Sequence, residues 1–339
     1  MRRRARIASA SLAWLFALSC GSAPDRTGDA GRTDAPLMLS LVSPTGIRFE
    51  PRTPTDAQAL AIARADSALA AAPADPERIV AAALAYESVW RYADAIALYT
   101  RGIRLAPDDY RMYLGRAHRL IRLRQFDDAL ADLDRSARLD PSGFNTAYLR
   151  GLTWYLLGRF DDAEAEYARC MDLAADSSAR ARALRNPVPG DPRSCSVIAT
   201  DPSSQISITA WRYRALRQAG RHDEAARLLE TVPEGLTLSA TPADAYPGTS
   251  IAPDSNEHYY RMLLFFRGLA TEDQVLDREW AGEQWSTLAY GVAIWHLAEG
   301  RRDRAIALLY EIVAEPYWAR LGHVAAETDL IRMGAVQAR

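Results

Sequence analysis

The sequence predicts an all-α protein, a solenoid of stacked helix pairs ending in a helical C-terminal block. Three observations carry that reading. Pro73, Pro107 and Pro141 recur every 34 residues, a period that belongs to helical repeats. Within each period a trio at i, i+4 and i+7 marks one face of a helix: Ala95, Tyr99 and Gly102; Ala129, Leu133 and Ser136; Ala163, Tyr167 and Cys170. The stretches GRFDDA (158–163), GRHDEA (220–225) and GRRDRA (300–305) separate helix from helix. There the glycine suits a left-handed C-terminal position, and Asp161, Asp223 or Asp303 is expected to cap the helix that follows.

Residues 1–19, MRRRARIASASLAWLFALS, set Arg2, Arg3, Arg4 and Arg6 before an apolar run from Ile7 to Leu18. That is the plan of a secretory signal peptide, and the run is short for a bilayer span. Cys20 follows, and ALSCGS resembles the lipobox of bacterial lipoproteins. The resemblance implies a diacylated Cys20 as the first mature residue, although Ala17 stands where that family usually has leucine and Leu18 comes one place later. Gly21 after the cysteine implies an outer-membrane anchor facing the periplasm; the alternative address is a cleaved, soluble periplasmic or secreted protein. Residues 20–53, rich in Gly, Pro, Ser, Thr and Asp, read as a flexible tether with one apolar island, PLMLSLV.

Residues 54–75 form a capping helix, with Ala61, Ala65 and Ala68 in second-helix slots and no first helix before them. Three regular units follow in register over 76–177, where Ala83, Ala117 and Gly151 give the first helices small contact positions. After an insertion at 178–205 comes a degenerate unit at 206–236, with Trp211, Ala225 and Leu229 in register but Tyr213 in a slot that should be small. A second loop, 237–255, leads to the C-terminal block, 256–339. That block contains a capping box at Thr271 and Gln274 and a further degenerate unit at 286–316 that keeps Ala293, Ala305 and Leu309.

These units are similar to the tetratricopeptide repeat (TPR) family. The resemblance implies a right-handed α-solenoid whose first helices line a concave groove, here Val80, Leu84, Leu114, His118, Ile121, Arg122, Tyr148, Leu152 and Tyr155, with Arg214 and Arg217 from the fourth unit. The groove so defined is apolar and aromatic with a basic far end, and the carboxylate clamp of some family members is not reproduced. It implies a non-enzymatic scaffold or adaptor holding a peptide or partner protein, with no cofactor and no metal. The same residues would serve self-association, and the chain's own tether, insertion or C-terminal helices are alternative occupants.

Charge agrees with a protein partner rather than nucleic acid. The chain has 41 basic and 43 acidic residues, and without the four leader arginines it is more acidic still. Cys170 and Cys195 pair as a disulfide in an oxidising compartment, or Cys170 fills its small slot as a buried thiol. In a competing reading, His323 and Glu327, one turn apart beside Trp295 and other aromatics, make the C-terminal block a small-molecule or catalytic site. No nucleophile-elbow, zinc-protease, phosphate-loop or Cys-x-x-Cys pattern accompanies them.

Overall fold

The computed structural model describes residues 39–178, 194–236, 238 and 256–338. The leader, Cys20, the tether up to residue 38, and most of both insertions lie outside the described residues. The described chain is helical, its only strand-like pairings being the isolated bridges Val42–Arg48 and Gly143–Ser194.

The helices are α1 (Asp56–Ala71), α2 (Pro76–Glu87), α3 (Tyr92–Leu105), α4 (Tyr110–Arg122), α5 (Phe126–Leu139), α6 (Phe144–Leu156) and α7 (Phe160–Ala175). A 3-10 turn, Cys195–Thr200, leads into α8 (Pro202–Gln218) and α9 (His222–Glu230). The C-terminal block holds α10 (Glu257–Phe266), the single turns α11 (Glu272–Val275) and α12 (Arg278–Ala281), then α13 (Trp285–Ala298), α14 (Arg302–Val313) and α15 (Leu321–Arg332). Sequential pairs α2/α3, α4/α5, α6/α7, α8/α9 and α13/α14 pack together, and each regular pair stacks on the next.

Local chemistry starts these helices in two ways. Thr55 and Gln58 form a reciprocal capping box on α1, and Thr271 and Gln274 form another on α11. Asp75, Asp109 and Asp201 cap α2, α4 and α8 by accepting a backbone N–H. Second helices differ from the sequence expectation: Asp161, Asp223 and Asp303 do not cap. The cap positions are Arg159, Arg221 and Arg301, without a side-chain cap bond, and the aspartates lie in the first turn, where they favour the positive end of the helix dipole.

Stacking depends on small residues opposite large ones. A Cβ on Gly115 would fall 2.3 Å from the Tyr99 ring, and one on Gly151 would fall 2.4 Å from the Tyr167 ring. Tyr99 and Tyr167, the aromatics of the first and third trios, therefore occupy the space that Gly115 and Gly151 leave. Ile79, Ala83, Ala95, Tyr99, Ile103, Met112 and Tyr113 form a buried cluster of this kind across the first units. Cys170 and Cys195 are joined by a disulfide with 5.0 Å between their Cα atoms, and the Cys195 N–H donates to Ser142 O at 2.7 Å, so the entry to α8 is fastened to the third unit.

The tether expectation for 20–53 is corrected over its described part. Residues 39–53 form a strap bound to the C-terminal block. Phe49 packs at a tilt against Trp318 with 4.8 Å between ring centroids, Trp318 Nε1 donates to Glu50 O at 3.1 Å, and Arg52 pairs with Glu283 at 3.0 Å. Composition suggested flexibility because the stretch is rich in Gly, Pro, Ser, Thr and Asp; the buried Phe49 ring and polar contacts to distant residues fix its described part instead.

Candidate functional site

The inner positions of the first helices are largely occupied by the chain itself. His118, Ile121, Tyr148, Leu152, Tyr155 and Arg214 are buried, whereas Val80, Leu84, Leu114, Arg122 and Arg217 keep partial exposure. Of the occupants left open for this groove, the chain's own C-terminal block is the one that these residues meet. The residues do face inward, and Arg122 on α4 together with Tyr148 and Tyr155 on α6 meets the C-terminal block.

Two aromatic knots make that closure. Trp211 Nε1 on α8 donates to the Tyr148 hydroxyl at 2.8 Å, and Tyr148 and Tyr259 share a hydrogen bond at 3.1 Å. Tyr290 on α13 donates to Asp329 Oδ2 at 2.7 Å and its oxygen lies 2.8 Å from that of Tyr155, which joins α6, α13 and α15. Burial raises the phenols of Tyr148 and Tyr290 well above their ordinary value and raises the Asp329 carboxyl, so all three are held as hydrogen-bonding groups.

At the end of α4, Arg122 donates to Ala319 O and to His118 Nε2, the latter at 3.0 Å. Burial, with the charge of Arg122, lowers His118 well below its ordinary value, so the neutral ring can accept that bond. Arg217 is turned to Glu299 at 2.9 Å and to the Tyr213 hydroxyl at 3.1 Å.

His323 and Glu327, the pair considered for chemistry, are a buried brace. Glu327 Oε2 accepts from Arg124 Nε at 2.8 Å, Oε1 accepts from Ser43 and Thr45, and His323 Nδ1 lies 3.2 Å from Arg124 Nη2. Burial first, then the charge of Arg124, lowers His323 to about 4. Among the described residues, no group of three or more His, Cys, Asp or Glu could hold a metal ion. An open cleft of about 650 Å³ adjoins this brace, lined by the strap from Ser40 to Arg48 and by Leu123, Arg124 and Gln125.

Sequence reasoning missed Trp90 and Arg124. They hold the same place in the first and second units that Gly158 holds in the third, and both take positive φ, 61° and 60°. A non-glycine residue there costs about 1 kcal/mol. Each makes long-range contacts from that position: Trp90 lies edge-on to Trp318 at 5.3 Å with the Arg52 guanidinium 4.0 Å from its ring, and Arg124 binds Glu327. The signal was available as a missing glycine at a repeated position.

No family model and no curated protein matches the chain. Among solved structures, one described as MamA AMB-1 is 18% identical with a TM-score of 0.39, covering 51% of this chain and 86% of that one. The TPR domain of P58(IPK) is 12% identical with a TM-score of 0.20, covering 83% of this chain and 95% of that one. The repeat of helix pairs is described from the chain's own 34-residue period, its small-to-large stacking and its left-handed turns.

Proposed function

We propose that this chain, an array of TPR-type helix pairs, is a non-enzymatic protein-interaction scaffold tethered at the bacterial cell envelope by lipid on Cys20. The observation that carries the reading is the uneven covering of the inner face. Leu84 on α2 and Leu114 on α4 keep partial exposure, as does Val80 at the edge of the core cluster, while the inward positions of α6 are buried. Apolar side chains left open on adjacent repeats suit an apolar segment of a protein partner.

Crosslinking in cells carrying a tagged copy tests this, comparing the natural chain with Leu84→Asp, Leu114→Asp protein whose helicity and unfolding midpoint are preserved. Loss of a specific neighbour in the variant supports the scaffold; an unchanged set of neighbours overturns this face as the site. Cys20→Ala is expected to move the protein from the membrane fraction to the soluble fraction.

A further inference from the structure

Three arginines are among the largest fully buried side chains: Arg116, Arg119 and Arg214. Arg116 makes a two-pronged pair with Asp132, both contacts at 2.7 Å, and Arg119 is paired with Glu87. Arg214 has no such partner among the described residues. Its Nε and Nη1 donate to nothing, and its Nη2 meets only the thioether of Met262 at 2.8 Å. A thioether is a weak acceptor, and an isolated buried guanidinium is costly unless something compensates its charge.

The buried carboxylates of α7 and α15 pair elsewhere. Asp329 is held by Arg332 and Tyr290, Glu166 by Arg150 and Arg169, and Glu164 by Arg212 and Arg221. Around the guanidinium stand the rings of Trp211, Tyr259 and Tyr290 at 4.3, 5.6 and 5.8 Å from its central carbon, whose π-faces offset part of the charge. Other polar atoms of the same interior are also unpaired, the Tyr167 hydroxyl and His258 Nδ1. His258 is lowered to about 3 by burial and then by the charges of Arg214 and Arg320, so it adds no positive charge and can donate as a neutral ring. The interior therefore has a surplus of donors and of positive charge, enclosed by α7, α8, α10 and α13.

We propose that Arg214 is the centre of an enclosed site for one small monovalent anion, a halide or a short carboxylate, held by the free N–H groups of the guanidinium. Its enclosure excludes peptides and nucleotides, and its single uncompensated charge matches a single negative one. The anion would act as a fixed part of the core where the fourth unit meets the C-terminal block.

The full chain is dialysed into sodium gluconate, an anion too bulky for the site, and titrated with sodium bromide or sodium acetate at constant ionic strength. Thermal unfolding is followed for the natural protein and for Arg214→Met. The natural protein should show a saturating rise in Tm, roughly 5 °C at a hundredfold excess over Kd, and the variant none. A response to bromide names a halide site, and a response to acetate alone names a carboxylate site. Equal responses in both proteins, or none in the natural one, overturn the proposal. Should the variant fail to fold, crystals of the natural protein grown in bromide give an independent reading: an anomalous peak beside Arg214 supports the site, and its absence overturns a halide there, leaving acetate-dependent Tm of the natural protein to decide the carboxylate.

Discussion

The carboxylate of Glu327 is shared by Arg124, Ser43 and Thr45, residues about 200 to 280 positions away in sequence. Both members of the Arg124–Glu327 pair are almost fully buried, with side-chain exposures of 2% and 1%. Glu327→Gln would leave the Arg124 guanidinium without its countercharge, and breaking a buried pair in this way costs about 3–5 kcal/mol. Denaturant unfolding should report that loss; a change under about 1 kcal/mol would mean that Arg124 finds another partner or water. The sequence displays Arg124 as a departure from Gly158, Gly220 and Gly300. It does not display the reason, because the compensating contact is made with a helix some 200 residues on. His323 and Glu327 were visible as a one-turn pair, but whether such a pair does chemistry or braces the core depends on what faces it, and Arg124 faces it.

Among elements, α15 shows how closely the C-terminal block fits. A Cβ on Gly322 would lie 2.2 Å from the Ser286 carbonyl oxygen and 2.6 Å from the Thr287 Cα, so the start of α15 and the start of α13 touch through backbone. Gly322→Ala is expected to force the helices apart and cost about 3 kcal/mol or more. Gly220→Ala, where the added Cβ meets nothing within 4 Å but φ is +75°, should cost only about 1 kcal/mol. Calorimetry on the two variants separates a packing constraint from a dihedral one, and equal losses would contradict the contact. Helices α2 to α7 were legible because a 34-residue period repeats small and aromatic positions. Cap identity was not, since an aspartate in the first turn and one at the cap differ by a residue or two and both favour the same helix end.

For the whole molecule, the buried histidines predict the pH response. His258 is lowered to about 3 and His323 to about 4, each by burial first, and His118 lies well below its ordinary value. The unfolded chain binds protons on these rings below about pH 6.5, while the folded chain refuses them, so unfolding becomes easier as pH falls from there. Each ring contributes up to about 1.4 kcal/mol per pH unit until its folded value is reached. Asp132 and Asp329, raised by burial, oppose this trend from 3.8 upward and make the net slope smaller than the histidines alone would give. Unfolding midpoints should be nearly level above about pH 7 and fall between about pH 6.5 and pH 5; a flat profile there would contradict neutral burial of the rings. That inward faces exist was readable from sequence, because apolar periodicity shows which side of a helix avoids water. What covers them was not, since the same pattern serves a partner or the chain's own C-terminus. The strap and α15 also set an order of events during synthesis. The first three repeats leave the ribosome with their inner surfaces bare, and the Tyr155–Tyr290 contact and the Ser43–Glu327 bond wait for partners 135 and 284 residues further along the chain. Contacts of such long sequence separation form slowly, and until they do the nascent array leaves these inner residues uncovered.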